Sequence, residues 1–104
     1  MKKIIDGKRY DTEKAIAVAR WQNEYYHNDF RYREETLYKT KKGNYFLYGY
    51  GGPCSAYAVP SEGNWTKAGE KIIPLTSDKA YEWLEQHAPA DIIEKEFPDR
   101  VEEA

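Results

Sequence analysis

The apolar positions of this chain fall into short alternating runs separated by turn-forming residues, with one segment of helical period near the C-terminal end. The densest run is Thr36 to Pro53, TLYKTKKGNYFLYGYGGP: Leu37 and Tyr38 lead into a Lys41-Lys42-Gly43-Asn44 corner, and Tyr45, Phe46, Leu47, Tyr48 and Tyr50 leave it. β-Favouring residues on both sides of a turn whose glycine takes a left-handed backbone predict a β-hairpin. With Lys41 and Lys42 at the centre of a type I turn and Gly43 as the bulge residue, Leu37 faces Leu47 and Lys39 faces Tyr45 on one side of the ribbon. Tyr38 then faces Phe46, and Thr36 faces Tyr48, on the other. Both faces carry rings, so one packs on helices while the other presents tyrosines to water, a partner or a second copy of the chain. Gly49 to Pro53 are expected to end the hairpin, because three glycines and a proline weaken and then forbid ladder pairing.

The flanking segments supply the rest of the expected fold. Residues 2 to 10, KKIIDGKRY, predict a mini-hairpin with an Asp6-Gly7 turn that docks on a sheet edge. Asp11 or Thr12 offers an N-cap oxygen ahead of Glu13, and Ala15, Val18, Ala19 and Trp21 then form an apolar stripe, which predicts a helix over Thr12 to Asn23. Asn23 to Asp29 is loop chemistry, and Phe30 to Glu35 fits either an irregular turn or a strand entry. Ser55 to Val59 reads as a short strand. Residues 60 to 69 form a long connection whose Trp65 should pack back on the domain. Glu70 to Leu75 predicts a strand, with Pro74 placing it at an edge or terminus.

Thr76 or Ser77 caps a helix in which Ala80, Trp83, Leu84 and His87 recur at i, i+3, i+4 and i+7. Pro89 breaks it, Ala90 to Phe97 makes a second short helix, and residues 98 to 104 form a frayed acidic tail. These elements predict one α+β domain over residues 1 to 104. Its small antiparallel sheet is the central hairpin plus one or two further strands, with an N-terminal helix and the C-terminal helices packed on one face.

Composition sharpens this picture in two places. A 104-residue chain that is 40% apolar and 33% charged can build a single core under a well-solvated surface. The net charge is only −2, yet residues 1 to 48 hold 11 Lys/Arg against 7 Asp/Glu, and residues 49 to 104 hold 5 against 11. The molecule is therefore expected to be electrically polarised rather than uniformly basic. The single cysteine, Cys54, allows no intramolecular disulfide and fits a reducing cytoplasm. MKKIIDGKRY lacks the apolar run of a signal peptide, and no run reaches the ~18 apolar residues of a membrane helix.

No catalytic motif is present. His27 and His87 stand apart from each other and from Cys54, the glycines of Gly49 to Pro53 lack a phosphate-loop lysine, and neither cysteine nor histidine spacing supports a metal site, so a non-enzymatic protein without cofactor is expected. Two binding modes remain. Arg31, Arg33, Lys41 and Lys42 with Tyr38, Tyr45 and Tyr48 supply the cations and stacking rings of a nucleic-acid-binding sheet. The same residue types are those enriched at protein-interaction hot spots.

Three strings add a resemblance: KKIIDGKRYDTEKA, ETLYKTKKGNYFLYGYGGP with SAYA, and KIIPLTSDKAYEWLEQH. In this order they resemble a family of small proteins carried by phages, plasmids and conjugative elements of gram-positive bacteria, over nearly the whole chain. Some members of that family resemble anti-CRISPR proteins that inhibit type II effector nucleases. The resemblance implies an anti-defence inhibitor that binds a host complex directly, namely Cas9 with or without guide RNA, in the cytoplasm of a bacterial host. Cys54-Ser55-Ala56 departs from the family's pattern, which places a basic residue there. The alternative is a nucleic-acid-binding accessory protein of a mobile element that uses the basic, tyrosine-rich hairpin. An acidic helical face suits a nuclease's nucleic-acid channel, whereas the basic hairpin suits guide RNA.

Overall fold

A computed structural model describes all residues 1–104. Its centre is a four-stranded antiparallel sheet formed by β3 (Ile16–Gln22), β4 (Arg33–Lys39), β5 (Tyr45–Gly51) and β8 (Gly69–Leu75), in the order β3-β4-β5-β8. Two small ribbons accompany it: β1 (Lys2–Ile5) with β2 (Lys8–Asp11), and β6 (Val59–Pro60) with β7 (Thr66–Lys67). Helices α1 (Ser77–His87) and α2 (Ala90–Glu96) follow, then a single 3₁₀ turn over Pro98–Arg100. No helix is long and apolar enough to cross a membrane.

The central hairpin has the expected register. Thr36 pairs with Tyr48, Leu37 with Leu47, Tyr38 with Phe46 and Lys39 with Tyr45. The Gly43 amide donates to the Thr40 carbonyl at 2.9 Å, and Gly43 sits at φ 91°, the type I turn with a glycine bulge. The ladder does not stop at the glycines. Gly49 pairs with Glu35 and Lys71, and Gly51 with Arg33 and Gly69. Gly49 lacks a side chain because the Tyr57 ring lies on it: a Cβ there would fall 1.9 Å from the ring carbon that bears the hydroxyl.

The two faces of the sheet are covered by different ends of the chain. Leu37, Tyr45 and Leu47 meet Ala80, Trp83 and Leu84 of α1, with Trp21, Ile73, Ile93 and Phe97 at the margin. Phe46 and Ile72, on the opposite face, meet Tyr10 of β2, with Ile5 and Tyr38 alongside. Tyr10 packs edge-on to Phe46 at 5.4 Å, and Tyr38 stacks on Phe46 at 5.2 Å. Only 14 of the 104 residues are buried, so these two small clusters carry the fold and the loss of one member is felt strongly.

The segment expected as an N-terminal helix, Thr12 to Asn23, forms only one turn and then becomes β3. Asp11 does act as a cap: its carboxylate accepts from the Glu13 amide at 3.0 Å, and its carbonyl accepts from the Lys14 and Ala15 amides. The turn is not continued because Ile16 to Gln22 gains a full ladder against β4. Tertiary pairing and the β-branched Ile16 and Val18 outweigh the helical preference of the alanines. A register shift between Ala17 and Ala19 disguises the strand's two-residue period. Helices therefore cover one face from the C-terminal end alone. The N-terminal ribbon joins no sheet edge, and instead lays Tyr10 across the other face.

Trp65 does not pack back; it is 77% exposed beside the β6–β7 ribbon. The strand expected over Ser55 to Val59 is reduced to Val59–Pro60. Phe30 to Glu35 resolves into a turn followed by β4. The tail is less free than expected, since Arg100 pairs with Asp78 and lies over the Tyr81 ring at 5.2 Å.

The C-terminal helices follow expectation. Thr76 caps α1, its hydroxyl accepting from the Lys79 amide at 3.1 Å. Lys39 pairs with Glu96 at 2.9 Å, and the Tyr45 hydroxyl donates to the same carboxylate at 2.8 Å, tying α2 to the hairpin. β8 is an edge strand with Pro74 opposite Phe46, where a missing amide donor costs least.

His87, in the last turn of α1, lies 4.3 Å from the Trp21 ring centre and 5.1 Å from that of Trp83. Burial there holds its pKa below the usual imidazole value, with Glu35 pulling it up and Arg33 pushing it down. The folded state thus binds this proton less readily than the unfolded chain, and stability drops as pH falls through the unfolded value of about 6.5. Melting midpoints are expected to decline between about pH 7.5 and about pH 5.5, with His87→Gln flattening that segment. A variant as acid-sensitive as the wild type would contradict this placement.

Candidate functional site

Five cations converge at one end of the molecule. The β1–β2 ribbon turns through Asp6 (φ 51°) and Gly7 (φ 75°), a two-residue turn with both residues left-handed, which delivers Lys8 and Arg9 directly after it. The β4–β5 turn delivers Lys41 and Lys42. Tyr10, anchored on Phe46, holds the first ribbon over the sheet near the second. Between them lies a cavity of about 390 Å³ lined by Gly7, Lys8, Arg9, Tyr10, Asp11, Lys14, Ala15, Thr40, Lys41, Lys42 and Asn44.

Charge in this groove is almost entirely of one sign. Lys8, Arg9, Lys14, Lys41 and Lys42 are all exposed, and Asp11 is the sole acid. None of the five has a carboxylate within 4.0 Å. The ion pairs of the molecule engage Arg20, Arg31, Lys39, Lys79 and Arg100 instead. A concave surface with five uncompensated cations focuses a positive potential and attracts polyanions. The opposite side of the sheet carries exposed carboxylates, with Asp78, Glu82 and Glu85 on α1 and Asp91 and Glu94 on α2, so the charge separation read along the chain is also a separation in space.

Of the residues singled out from sequence, Lys41 and Lys42 line the groove and the other five do not. Arg31 lies in the loop before β4, held by Asp29 at 3.0 Å and stacked over Tyr25 at 4.0 Å. Arg33 sits at the start of β4 over the Trp21 ring at 4.9 Å, with its Nε buried and unpartnered. Tyr38 is stacked against Phe46. Tyr45 is core, and burial together with the Glu96 carboxylate pushes its hydroxyl pKa above the ordinary phenol value. Tyr48 donates to Glu70 at 2.7 Å, and its hydroxyl is raised in the same way.

Lys8, Arg9 and Lys14 were not singled out. A signal is present in the repetition of one device, a basic pair in or directly after a tight turn, in DGKR and in KKGN.

Other chemistry is structural in character. On the helix-covered face, Glu35 accepts from Trp83 Nε1 at 2.9 Å and from the Tyr57 hydroxyl, pinning both α1 and the loop after β5. His27 stacks on Tyr50 at 5.7 Å and meets Tyr32 at 4.8 Å. No three His, Cys, Asp or Glu side chains gather in a way that could hold a metal ion, and Cys54 is an exposed free thiol.

Comparison with family models, curated proteins and solved structures found no match. The groove therefore stands on its own geometry: two hairpin tips, five unpaired cations and one concavity.

Proposed function

We propose that this protein is a non-enzymatic inhibitor that binds a host defence complex directly, with the cationic groove as its contact surface for the phosphate backbone that the complex carries. One observation supports this reading above the rest. Five of the chain's basic side chains stand unpaired around a single concavity, whereas Arg20, Arg31, Lys39, Lys79 and Arg100 are paired with carboxylates and Arg33 is stacked on a ring. Unpaired clustered cations are stabilised by an anionic partner and by little within the molecule itself. The resemblance of the IDGKRYDT, LYKTKKGNYFL and IIPLTSDKAYEWLE segments to mobile-element proteins supplies the setting, a type II effector nuclease with its guide RNA. The nucleic-acid-binding accessory role is the second reading, and the same groove favours it.

The test is retention on immobilised Cas9 with and without guide RNA, paired with plasmid interference in cells. Guide-dependent retention, relief of interference, and loss of both in Lys41→Glu/Lys42→Glu are expected. Undiminished interference across several type II effectors would refute the inhibitor reading. Guide-independent retention that is lost in Glu82→Lys/Glu85→Lys would move the interface to the acidic helices.

A further inference from the structure

We infer that the groove reads a single-stranded nucleic-acid backbone, blind to base identity, and discriminates against duplex. The inference rests on the binding function proposed above and specifies the ligand of the same groove.

Three features carry it. The cations stand on two walls, with Lys8, Arg9 and Lys14 on the N-terminal side and Lys41 and Lys42 on the hairpin side. A chain of phosphates lying between them meets positive charge from both. A duplex presents a convex surface whose two phosphate rails are separated by grooves, so it would touch only the rims. The cavity of about 390 Å³ is the size of a site for a small ligand, enough for a short run of backbone and far too small for a helix.

The second feature is the absence of a stacking platform in the lining. Single-strand binders ordinarily gain affinity by stacking bases on open aromatic faces. Tyr10 is the one ring here, and it is only 7% exposed, buried edge-on against Phe46, so it offers no open face to a base. The tyrosines that sequence alone offered for stacking are engaged elsewhere: Tyr38 on Phe46, Tyr45 in the core, Tyr48 on Glu70.

The third is the polar complement. Exposed Asn44 adds side-chain amide donors beside the lysines, while the Thr40 hydroxyl is used inside the turn, accepting from the Asn44 amide at 3.1 Å. Amide donors and ammonium groups suit phosphate oxygens.

The test is fluorescence anisotropy on the full chain with labelled RNA strands of about twelve nucleotides, oligo(U) and oligo(A), against a duplex of equal length and against free tripolyphosphate. The two single strands should bind within about threefold of each other and at least about tenfold more tightly than the duplex. Five phosphate contacts predict a slope of log affinity on log salt of up to about −3.5, and Lys41→Ala/Lys42→Ala should bring that slope toward zero by about 1.4. Lys8→Ala/Arg9→Ala, on the opposite wall, should do the same, with both melting curves recorded to show that the fold is intact.

A strong preference for one base, duplex binding equal to single strand, or a slope unchanged in both folded variants would overturn the inference. Tripolyphosphate binding as tightly as the strands would assign the groove to free polyphosphates instead. Retention on Cas9 with no affinity for free strands would overturn this inference alone. Affinity for free strands without retention on Cas9 would support it and remove the defence complex.

Discussion

Gly49→Ala is expected to destabilise the protein by about 3 kcal/mol, although the backbone at this position would ordinarily welcome the change. Gly49 is not in the left-handed region, so alanine is conformationally allowed there and would normally stabilise by about 0.4–1 kcal/mol through the unfolded chain. Sterics reverse the sign. The new methyl would fall 1.9 Å from a ring carbon of Tyr57 and 2.2 Å from its hydroxyl oxygen. Tyr57 is buried at 7% exposure, and its hydroxyl donates to Glu35, which also takes the indole N–H of Trp83. Displacing the ring overpacks the face, at about 1–3 kcal/mol, and strips a half-buried carboxylate of a charge-assisted hydrogen bond worth about 1.5–3 kcal/mol.

Denaturant unfolding measures the loss. A double-mutant cycle identifies its cause, because Tyr57→Ala removes the obstructing ring, and Gly49→Ala should then cost less than about 1 kcal/mol. Equal costs in the two backgrounds would show that the Tyr57–Gly49 contact is not what fixes this glycine.

The second large effect is on binding. Lys41→Glu/Lys42→Glu should weaken single-strand binding by about 60-fold or more at about 50 mM salt, since each lost phosphate contact changes affinity by roughly [salt] to the power 0.7, or about eightfold at that concentration. Reversal of sign adds repulsion to that loss. Stability should be nearly unchanged: both side chains are exposed in the turn and neither forms an ion pair. Arg31→Glu is the informative contrast. It breaks a pair with Asp29 in a loop outside the groove, and should leave affinity within about twofold of wild type. Arg31→Glu weakening binding as much as the lysine pair would mean that general positive charge, not the groove, is responsible.

How much of this was legible beforehand depended on whether the information was local. The central hairpin could be read residue by residue because turn chemistry at Lys41 to Gly43 and alternation from Leu37 to Leu47 agree on one register. Helix α1 was legible for the same reason, with the Thr76 cap, Asp78 in the first turn and the Ala80, Trp83, Leu84 stripe in agreement. β3 was not. Its alanines favour a helix, its bulge near Val18 hides the strand period, and the deciding contribution is pairing with β4, a contact remote in sequence.

The glycines after Tyr48 mislead for a related reason. They looked like an end to the strand and are instead places where Tyr57 and the loop after β5 approach the sheet. The groove was least legible of all. Two of its five cations are visible as the Lys41-Lys42 turn, but the other wall reaches it only because Tyr10 docks on Phe46 and carries Lys8 and Arg9 across the sheet. No pattern within residues 2 to 11 announces that docking.

The groove is tested most directly by an amide chemical-shift titration of the isotopically labelled chain with a single-stranded RNA of about twelve nucleotides at low salt. Perturbations are expected to concentrate at Gly7 to Asp11, Lys14 and Thr40 to Asn44, and to be small along α1, α2 and the loop around Arg31. Perturbations centred on the acidic helices or the Arg31 loop, or none at all, would contradict the groove as the binding surface.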